Sequence, residues 1–348
     1  MTFNLVKGLS ANENFRIIVV VLNEGQVAEA MRIEGIDVYV LNERQSSLPS
    51  LLSSIRKILH EFQPSIIHSH RYKENVLACL ASFTKRDVYL IATQHGMPET
   101  YGKQVTFKNR GIRWLNALLL SRRFDCLVVV SREMKDLFVE DGFDQQKLVV
   151  IHNGIELPQG KLRVGSGESF VIGSCGRLVP VKNYGLFVEI ATKVVALVSN
   201  ARFELAGDGP QLESLRYQCH KNQLGGRFYI LGHVENMQSF YKRLDIFVNT
   251  SLHEGLPMST LEAMGHGVPV VAPAVGGFPE IIDHMVDGIL IAGHEPEAFV
   301  QACLELRADP ELFLRMSKAA HQKIETKFTV NRMIESYARL YKQVVTSP

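Results

Sequence analysis

Nowhere in the 348 residues do the ~18 consecutive apolar side chains occur that a membrane-crossing helix needs. The opening "MTFNLVKGLSANENF" has no basic segment followed by an apolar run and a small-residue cleavage site, so no export signal is read there. Charge is also missing as a signal: 38 Lys and Arg stand against 36 Asp and Glu, a net charge of +2. Such a balance gives no overall reason to expect nucleic acid as a partner, and leaves only local basic patches to consider. Cysteine is sparse. Cys79, Cys126, Cys175, Cys219 and Cys303 are odd in number, scattered and free of Cys-x-x-Cys spacing, which argues against disulfides and a zinc site. The pattern fits reduced thiols filling a core in the cytosol. Internal repeats beyond the alternation of strands and helices, and low-complexity stretches, are absent too.

What is present is apolar content, 46% of the chain, enough for two cores of ordinary size. It comes in short runs rich in Val, Ile and Leu. The first half holds "FRIIVVVLNEG" (15–25), "IDVYVLNE" (36–43), "SIIHSH" (65–70), "VYLIATQHG" (88–96), "CLVVVS" (126–131) and "LVVIHNG" (148–154). A second series follows: "FVIGSCGRL" (170–178), "ARFELAGDGP" (201–210), "FYILGHV" (228–234), "DIFVNTS" (245–251), "VPVVAPA" (268–274) and "GILIAG" (288–293). Continuous apolar strands alternating with helical patterns predict parallel sheets covered on both faces. Between the two series, "ELPQGKLRVGSGES" (156–169) is rich in Pro, Gly and Ser and reads as a linker. The expected organisation is two doubly wound, Rossmann-like domains, 1–160 and 161–327, facing across a cleft. The closing segment 328–348 spaces Met333, Tyr337, Leu340 and Tyr341 helically, and its apolar face should dock back on the first domain. A doubly wound domain normally opens with a central strand and a Gly-rich turn. Here the chain begins inside a helix-like "NLVKGLSANEN", so the first domain is read as lacking its opening strand.

The stretch "HEGLPMSTLEAMGHGVPVVAP" (253–273) carries the chemistry. In an open parallel sheet ligands sit at the carboxyl ends of the strands, and "DIFVNTS" ends just before His253 and Glu254. Pro257 suits the first position of a helix, which then runs to Gly265 or Gly267. Such a helix leaves the N–H groups of Met258, Ser259 and Thr260 without intrahelical partners, and its positive end favours an anion such as a diphosphate. Glu262 lies five residues beyond Pro257, roughly 7.5 Å along the axis at about 1.5 Å per residue; Glu254 precedes the helix. The two carboxylates therefore flank the anion site and can accept hydrogen bonds from hydroxyl groups. Hydroxyls, a diphosphate and more hydroxyls describe a sugar nucleotide. No Asp-x-Asp is present to clamp a metal-bound diphosphate. Arg177 and Lys182, in "CGRLVPVKN" after another strand, offer a guanidinium and an ammonium instead. Donors placed on a developing phosphate charge lower a barrier by about 3 kcal/mol each.

The segment resembles the Glu-x7-Glu motif of retaining GT-B glycosyltransferases of the group-1 (family 4) type, and "GRLVPVKNYGLFVEIA", "LAGDGP" and "LGHVENM" precede it in the order that family shows. The resemblance implies a GT-B fold and transfer of a sugar from a UDP- or GDP-sugar to a glycan or lipid-linked acceptor, with retention and without a metal or other cofactor. It gives Arg177 and Lys182 the phosphates, Glu254 the hexose hydroxyls and Glu262 the ribose. Gly255, Leu256, Met258, Ser259 and Thr260 line the donor site, and the backbone of Val234 faces the base. "GDGP" (207–210) reads as a tight turn needed by the fold.

In the first domain, His95 ends a strand before Gly96, where family members place a histidine on the sugar or its phosphate. His70 is assigned to the acceptor cleft; His68 and His70 alternate along a strand, with no third ligand evident for zinc. The run 101–124 combines six basic residues with Trp114 and a Leu cluster. It predicts an amphipathic surface for an anionic membrane, or else a helix with its apolar side in the core. A cytoplasmic protein, peripheral to the inner face of the membrane and serving cell-surface polysaccharide synthesis, is the expectation. Two alternatives share the architecture: a non-catalytic sugar-nucleotide-binding partner subunit, and a GT-B sugar-nucleotide epimerase.

Overall fold

The computed structural model describes residues 1–83, 85, 87–96, 117–158 and 169–346. Each of the apolar runs named above contains one strand, β1 to β12: Ile18–Val21, Asp37–Val40, Ile66–Ser69, Tyr89–Gln94, Cys126–Val129, Leu148–Val150, Phe170–Cys175, Ala201–Ala206, Phe228–Gly232, Ile246–Val248, Val270–Pro273 and Ile289–Ile291. Every strand pairing is parallel. The chain divides into two compact units, Met1–Gly154 with Val330–Pro348, and Ile155–Thr329. The division falls a few residues from 160/161 and 327/328 because Ile155 forms a bridge to Thr329, and a Cβ on Gly265 would meet the Ile155 side chain at 2.7 Å. Residues 155–158 thus travel with the second unit.

The first unit holds a four-stranded sheet, β3-β4-β5-β6, and a separate pair, β1-β2. Among the described residues β1 pairs only with β2 and β3 only with β4, so each keeps one edge without a strand. Val20 on β1 is 37% exposed, unusual for an all-apolar parallel strand. Helix Thr2–Ser10 packs on helix Val330–Thr346 so closely that a Cβ on Gly8 would lie 2.0 Å from Ile334 Cδ1. Leu5 and Leu9 join Met333, Tyr337 and Leu340 with Ile91 and Val128 of the sheet in one core, which makes the closing helix part of this unit.

The second unit is a six-stranded sheet in the order β12-β11-β10-β7-β8-β9. Helices Tyr184–Leu197 and Pro296–Ala308 contribute Phe187, Ile190, Val194, Phe299 and Cys303 to its core. Because all six strands run the same way, the turns after β7, β8, β9 and β10 emerge along one edge of the sheet. That edge carries the motif residues.

Candidate active site

The turn after β7 is held from below by the turn after β8. The amide of Leu178 donates to Asp208 O (2.9 Å) and that of Gln211 to Leu178 O (3.0 Å). A Cβ on Gly207 would lie 1.9 Å from Gly176 O, and one on Gly209 would lie 2.7 Å from Leu178 O. Both glycines have left-handed φ, +152° and +156°, so no other residue fits that close approach without displacing the Arg177 loop. "LAGDGP" therefore acts as scaffold. Above it, Pro180–Lys182 makes a short 3-10 turn and Asn183, at φ 51°, starts helix Tyr184–Leu197. Arg177 is exposed and Lys182 half-buried.

The loop after β10 is stitched to this turn. Leu252 N–H donates to Val181 O (2.8 Å), and the Thr250 hydroxyl donates to Lys182 O (2.9 Å). The Lys182 ammonium donates to Glu254 Oε1, which also accepts from the Ser251 hydroxyl at 2.8 Å. A third loop closes on the same residue: Gly277 N–H donates to Glu254 O (3.0 Å). Cβ atoms on Gly276 and Gly277 would sit 2.2 Å from Glu254 O and 2.1 Å from Gly255 O. The backbone of Glu254 is thus fixed from two sides, and its side chain from two more.

Gly255 and Leu256 are buried, and helix Met258–Gly265 follows with Pro257 as its N-cap rather than its first residue. The amide of Thr260 is not free, contrary to the expectation from sequence, because the first turn tightens and it donates to Pro257 O at 3.1 Å. Met258 and Ser259 keep N–H groups with no acceptor among the described residues. Four residues on from Met258, Glu262 accepts at Oε2 from the Tyr241 hydroxyl (2.7 Å); burial pushes its carboxyl above the ordinary value and the tyrosine bond opposes this. Tyr241 comes from helix Met237–Arg243. Nothing in the sequence marked it, since its partner lies 21 positions away. Val234 is half-buried just beyond β9, after Gly232 at φ 67°.

In the first unit, His70 and His95 stand at the carboxyl ends of neighbouring strands β3 and β4. His70 Nδ1 lies 3.0 Å from His95 Nε2, and the rings stack at 5.3 Å. Burial, reinforced by their mutual repulsion as cations, pushes His70 down to about 3, and burial takes His95 to about 4. Both are neutral imidazoles at neutral pH, so one nitrogen of the close pair donates and the other accepts. His68 beside them is committed elsewhere: its Nδ1 bonds the Tyr341 hydroxyl (2.5 Å) and its Nε2 the Thr93 hydroxyl (2.7 Å). Among the described residues no group of three or more His, Cys, Asp or Glu side chains is placed to hold a metal ion.

Of the basic run 101–124, residues 101–116 lie outside the described residues. In the remainder Leu120 and Phe124 are buried, Lys147 Nζ bonds the carbonyls of Ser121 and Phe124, and Arg123 lies over the Phe83 ring. Among the described residues no helix is long and apolar enough to cross a membrane.

Two sequence profiles match the chain in tandem: the one described as Glycosyltransferase Family 4 over residues 1–159 and the one described as Glycosyl transferases group 1 over residues 169–309. Among characterised proteins, UDP-Gal:alpha-D-GlcNAc-diphosphoundecaprenol alpha-1,3-galactosyltransferase of Escherichia coli is 27% identical, with 97% of this chain and 92% of that protein covered. The O-antigen biosynthesis glycosyltransferase WclY of Escherichia coli is 22% identical over 98% of this chain and 93% of its own. The crystal structure of Anabaena HepE in complex with UDP and glucose superposes with a TM-score of 0.85 at 21% identity, covering 98% of this chain and 94% of that one. With the profiles accounting for both units and the fold shared with HepE, this chain belongs to the group-1 glycosyltransferases of the GT-B fold.

Proposed function

We propose that the protein transfers a sugar, with retention of configuration, from a nucleotide sugar to a glycan or lipid-linked acceptor in cell-surface polysaccharide synthesis, and that it needs no metal to do so. The observation that carries this reading is the convergence of three loops on Glu254 and Lys182, beside a helix whose first N–H groups have no protein acceptor. That HepE is named as binding UDP and glucose, and the Escherichia coli relative as a UDP-Gal transferase, supports the donor class and favours UDP.

The diphosphate takes the Met258 and Ser259 amides, where the helix end is positive, together with Arg177 and Lys182. As the glycosidic C–O bond breaks, negative charge grows on the β-phosphate. Preorganised cations stabilise that charge and supply what a metal ion supplies elsewhere. Glu254 accepts hydrogen bonds from the hexose and faces the oxocarbenium-like carbon. Glu262 holds the ribose, Gly255, Leu256 and Thr260 shape the floor, and the Val234 backbone meets the base. On the first unit, the His70–His95 pair always presents one N–H and one lone pair to a sugar or acceptor hydroxyl. Residues 101–124 are proposed to approach an anionic membrane surface, where a lipid-linked acceptor resides.

Transferases among the named relatives favour transfer over the partner-subunit and epimerase readings. The test is NMR of a UDP-sugar incubated with protein in EDTA, with and without a polyprenyl-diphosphate-linked sugar. A new glycosidic linkage of the donor's own anomeric configuration is expected. Epimerised donor without acceptor, or transfer only after Mg²⁺ is restored, would overturn the reading.

A further inference from the structure

Glu262 has a partner that no motif contains. The Tyr241 side chain is 1% exposed, packed against Phe240, Phe247 and the ring of His266, and its hydroxyl sits between two polar atoms. One is Glu262 Oε2 at 2.7 Å; the other is Cys175 Sγ at 3.2 Å. A carboxylate can only accept, so the tyrosine O–H donates to Glu262 and the tyrosine oxygen accepts from the thiol. The direction is consistent with Cys175 itself, whose thiol is pushed up to about 12, chiefly by burial, and keeps its proton. The chain runs Cys175 S–H, Tyr241 O–H, Glu262.

Its two ends matter. Cys175 is the last residue of β7, immediately ahead of Gly176 and Arg177, and Glu262 lies in the helix whose N-terminus faces the diphosphate in the proposed function. One buried hydroxyl thus joins the strand that aims the cation loop to the helix that carries the carboxylate. The Glu262 Oε1 oxygen accepts from no donor among the described residues.

We propose that Tyr241 is a positioning residue for nucleotide recognition: by holding Oε2 it fixes the Glu262 carboxylate so that Oε1 and the remaining lone pair of Oε2 face the two hydroxyls of a ribose. The proposal rests on Glu262 being the ribose ligand. Without Tyr241 the half-buried carboxylate has no donor to fix its rotamer. It then turns toward water or takes up a proton, and either change removes acceptors from the sugar. Tyr241 touches no substrate atom; it works through Glu262.

Tyr241→Phe keeps the ring and removes one oxygen, so the aromatic packing is retained. Calorimetry with UDP and with 2′,3′-dideoxy-UDP, GDP and its dideoxy analogue serving as the second pair, separates a specific from a general effect. Wild type should prefer the ribonucleotide. In Y241F the ribonucleotide should bind about tenfold more weakly and the dideoxy analogue about as in wild type, collapsing the preference. The donor KM should rise while kcat changes by less than about twofold, the sign of lost uniform binding. With Glu262→Gln the two losses should not add. Equal weakening of both nucleotides, or an unchanged preference, overturns the role. If Y241F does not fold, Glu262→Asp, whose carboxylate is drawn back by one methylene from the Tyr241 hydroxyl, reads the same bond from its other end, and an unaltered preference there overturns the role. A wild-type protein that binds neither nucleotide, or shows no ribose preference, instead overturns the proposed function beneath it.

Discussion

The ammonium of Lys182 is hydrogen-bonded to the carboxylate of Glu254 across 72 positions of sequence. The pair is mostly withdrawn from water, with side-chain exposures of 22% and 15%, and Ser251 supplies Glu254 with a second donor. Two residues proposed to have separate duties, one for phosphate and one for sugar, form an ion pair with each other. In the proposed function, a diphosphate entering beside Lys182 would compete with Glu254 for the ammonium, and the hexose hydroxyls would replace that ammonium on Glu254.

Glu254→Gln should therefore separate binding from transfer. Removing the carboxylate frees Lys182 and takes away a charge that repels phosphate, so UDP should bind as well as in wild type or a few-fold more tightly. Transfer should fall by about 10²–10³, the scale of losing one electrostatic group at a developing charge. Lys182→Ala should act oppositely on the first quantity, weakening UDP by tenfold or more. Calorimetry beside a transfer assay checks both, and a Glu254→Gln variant that binds UDP more weakly would contradict the competition.

The loops that hold Glu254 predict a backbone effect. Gly276 has φ +59°, and a Cβ there would meet Glu254 O at 2.2 Å and Glu254 N at 2.9 Å. Gly276→Ala must therefore strain its own backbone and push the Glu254 loop. We expect a loss of about 1–3 kcal/mol in urea unfolding and a transfer rate reduced far more than the fraction unfolded explains. Gly225→Ala, where a Cβ meets nothing within 4 Å, is the matched control and should leave both quantities near wild type.

Fold and site were legible to different degrees, for a physical reason. The strand runs are local and driven by burial, so Val, Ile and Leu in blocks of four to six mark β1, β5 and β6 directly. Glu254 and Glu262 are also local, sharing one loop and helix. What the sequence carries poorly is distance across elements. The bonds Lys182 to Glu254, Tyr241 to Glu262 and His70 to His95 join residues 72, 21 and 25 positions apart. Hydrophobic period says nothing of such pairs. The Thr260 amide, which local rules leave free, is bonded within its own turn. Whether the first turn tightens onto Pro257 O is a choice between i−3 and i−4 bonding that helix-start rules leave open.

The buried histidines predict how stability responds to acid. His70 and His95 are held down to about 3 and about 4, from an ordinary 6.5, and His68 is also well below 6.5, all chiefly by burial. In the unfolded chain these imidazoles take up protons below about pH 6.5; in the folded unit they refuse them. Stability from this source is fully present above pH 6.5 and is lost as pH falls toward 4, by up to about 1.4 kcal/mol per pH unit for each histidine. Urea midpoints of the wild type should drop steeply between pH 6.5 and 4.5. In a His70→Asn, His95→Asn double variant the fall should be shallower, and an equal slope in the two proteins would contradict the neutral pair.

A last prediction concerns a charge buried far along the chain from the site motifs. Lys323, 8% exposed, reaches Asp287 Oδ2 at 2.8 Å and Asp283 Oδ2 at 2.9 Å, tying helix Pro310–Lys327 to the turn before β12. The Asp283 side chain is 62% exposed, so water can replace the lysine there; that of Asp287 is 4% exposed and has no such recourse. Burial already pushes the Asp287 carboxyl above its ordinary value, and Lys323 is the main opposing influence. Lys323→Met should therefore cost about 3–5 kcal/mol, mostly for the stranded Asp287 charge. Adding Asp287→Asn should recover most of it, because the neutral amide can still occupy the turn. Thermal or urea unfolding of the two variants decides the matter: a double variant no more stable than the single one would place the cost in lost packing of the lysine stem instead.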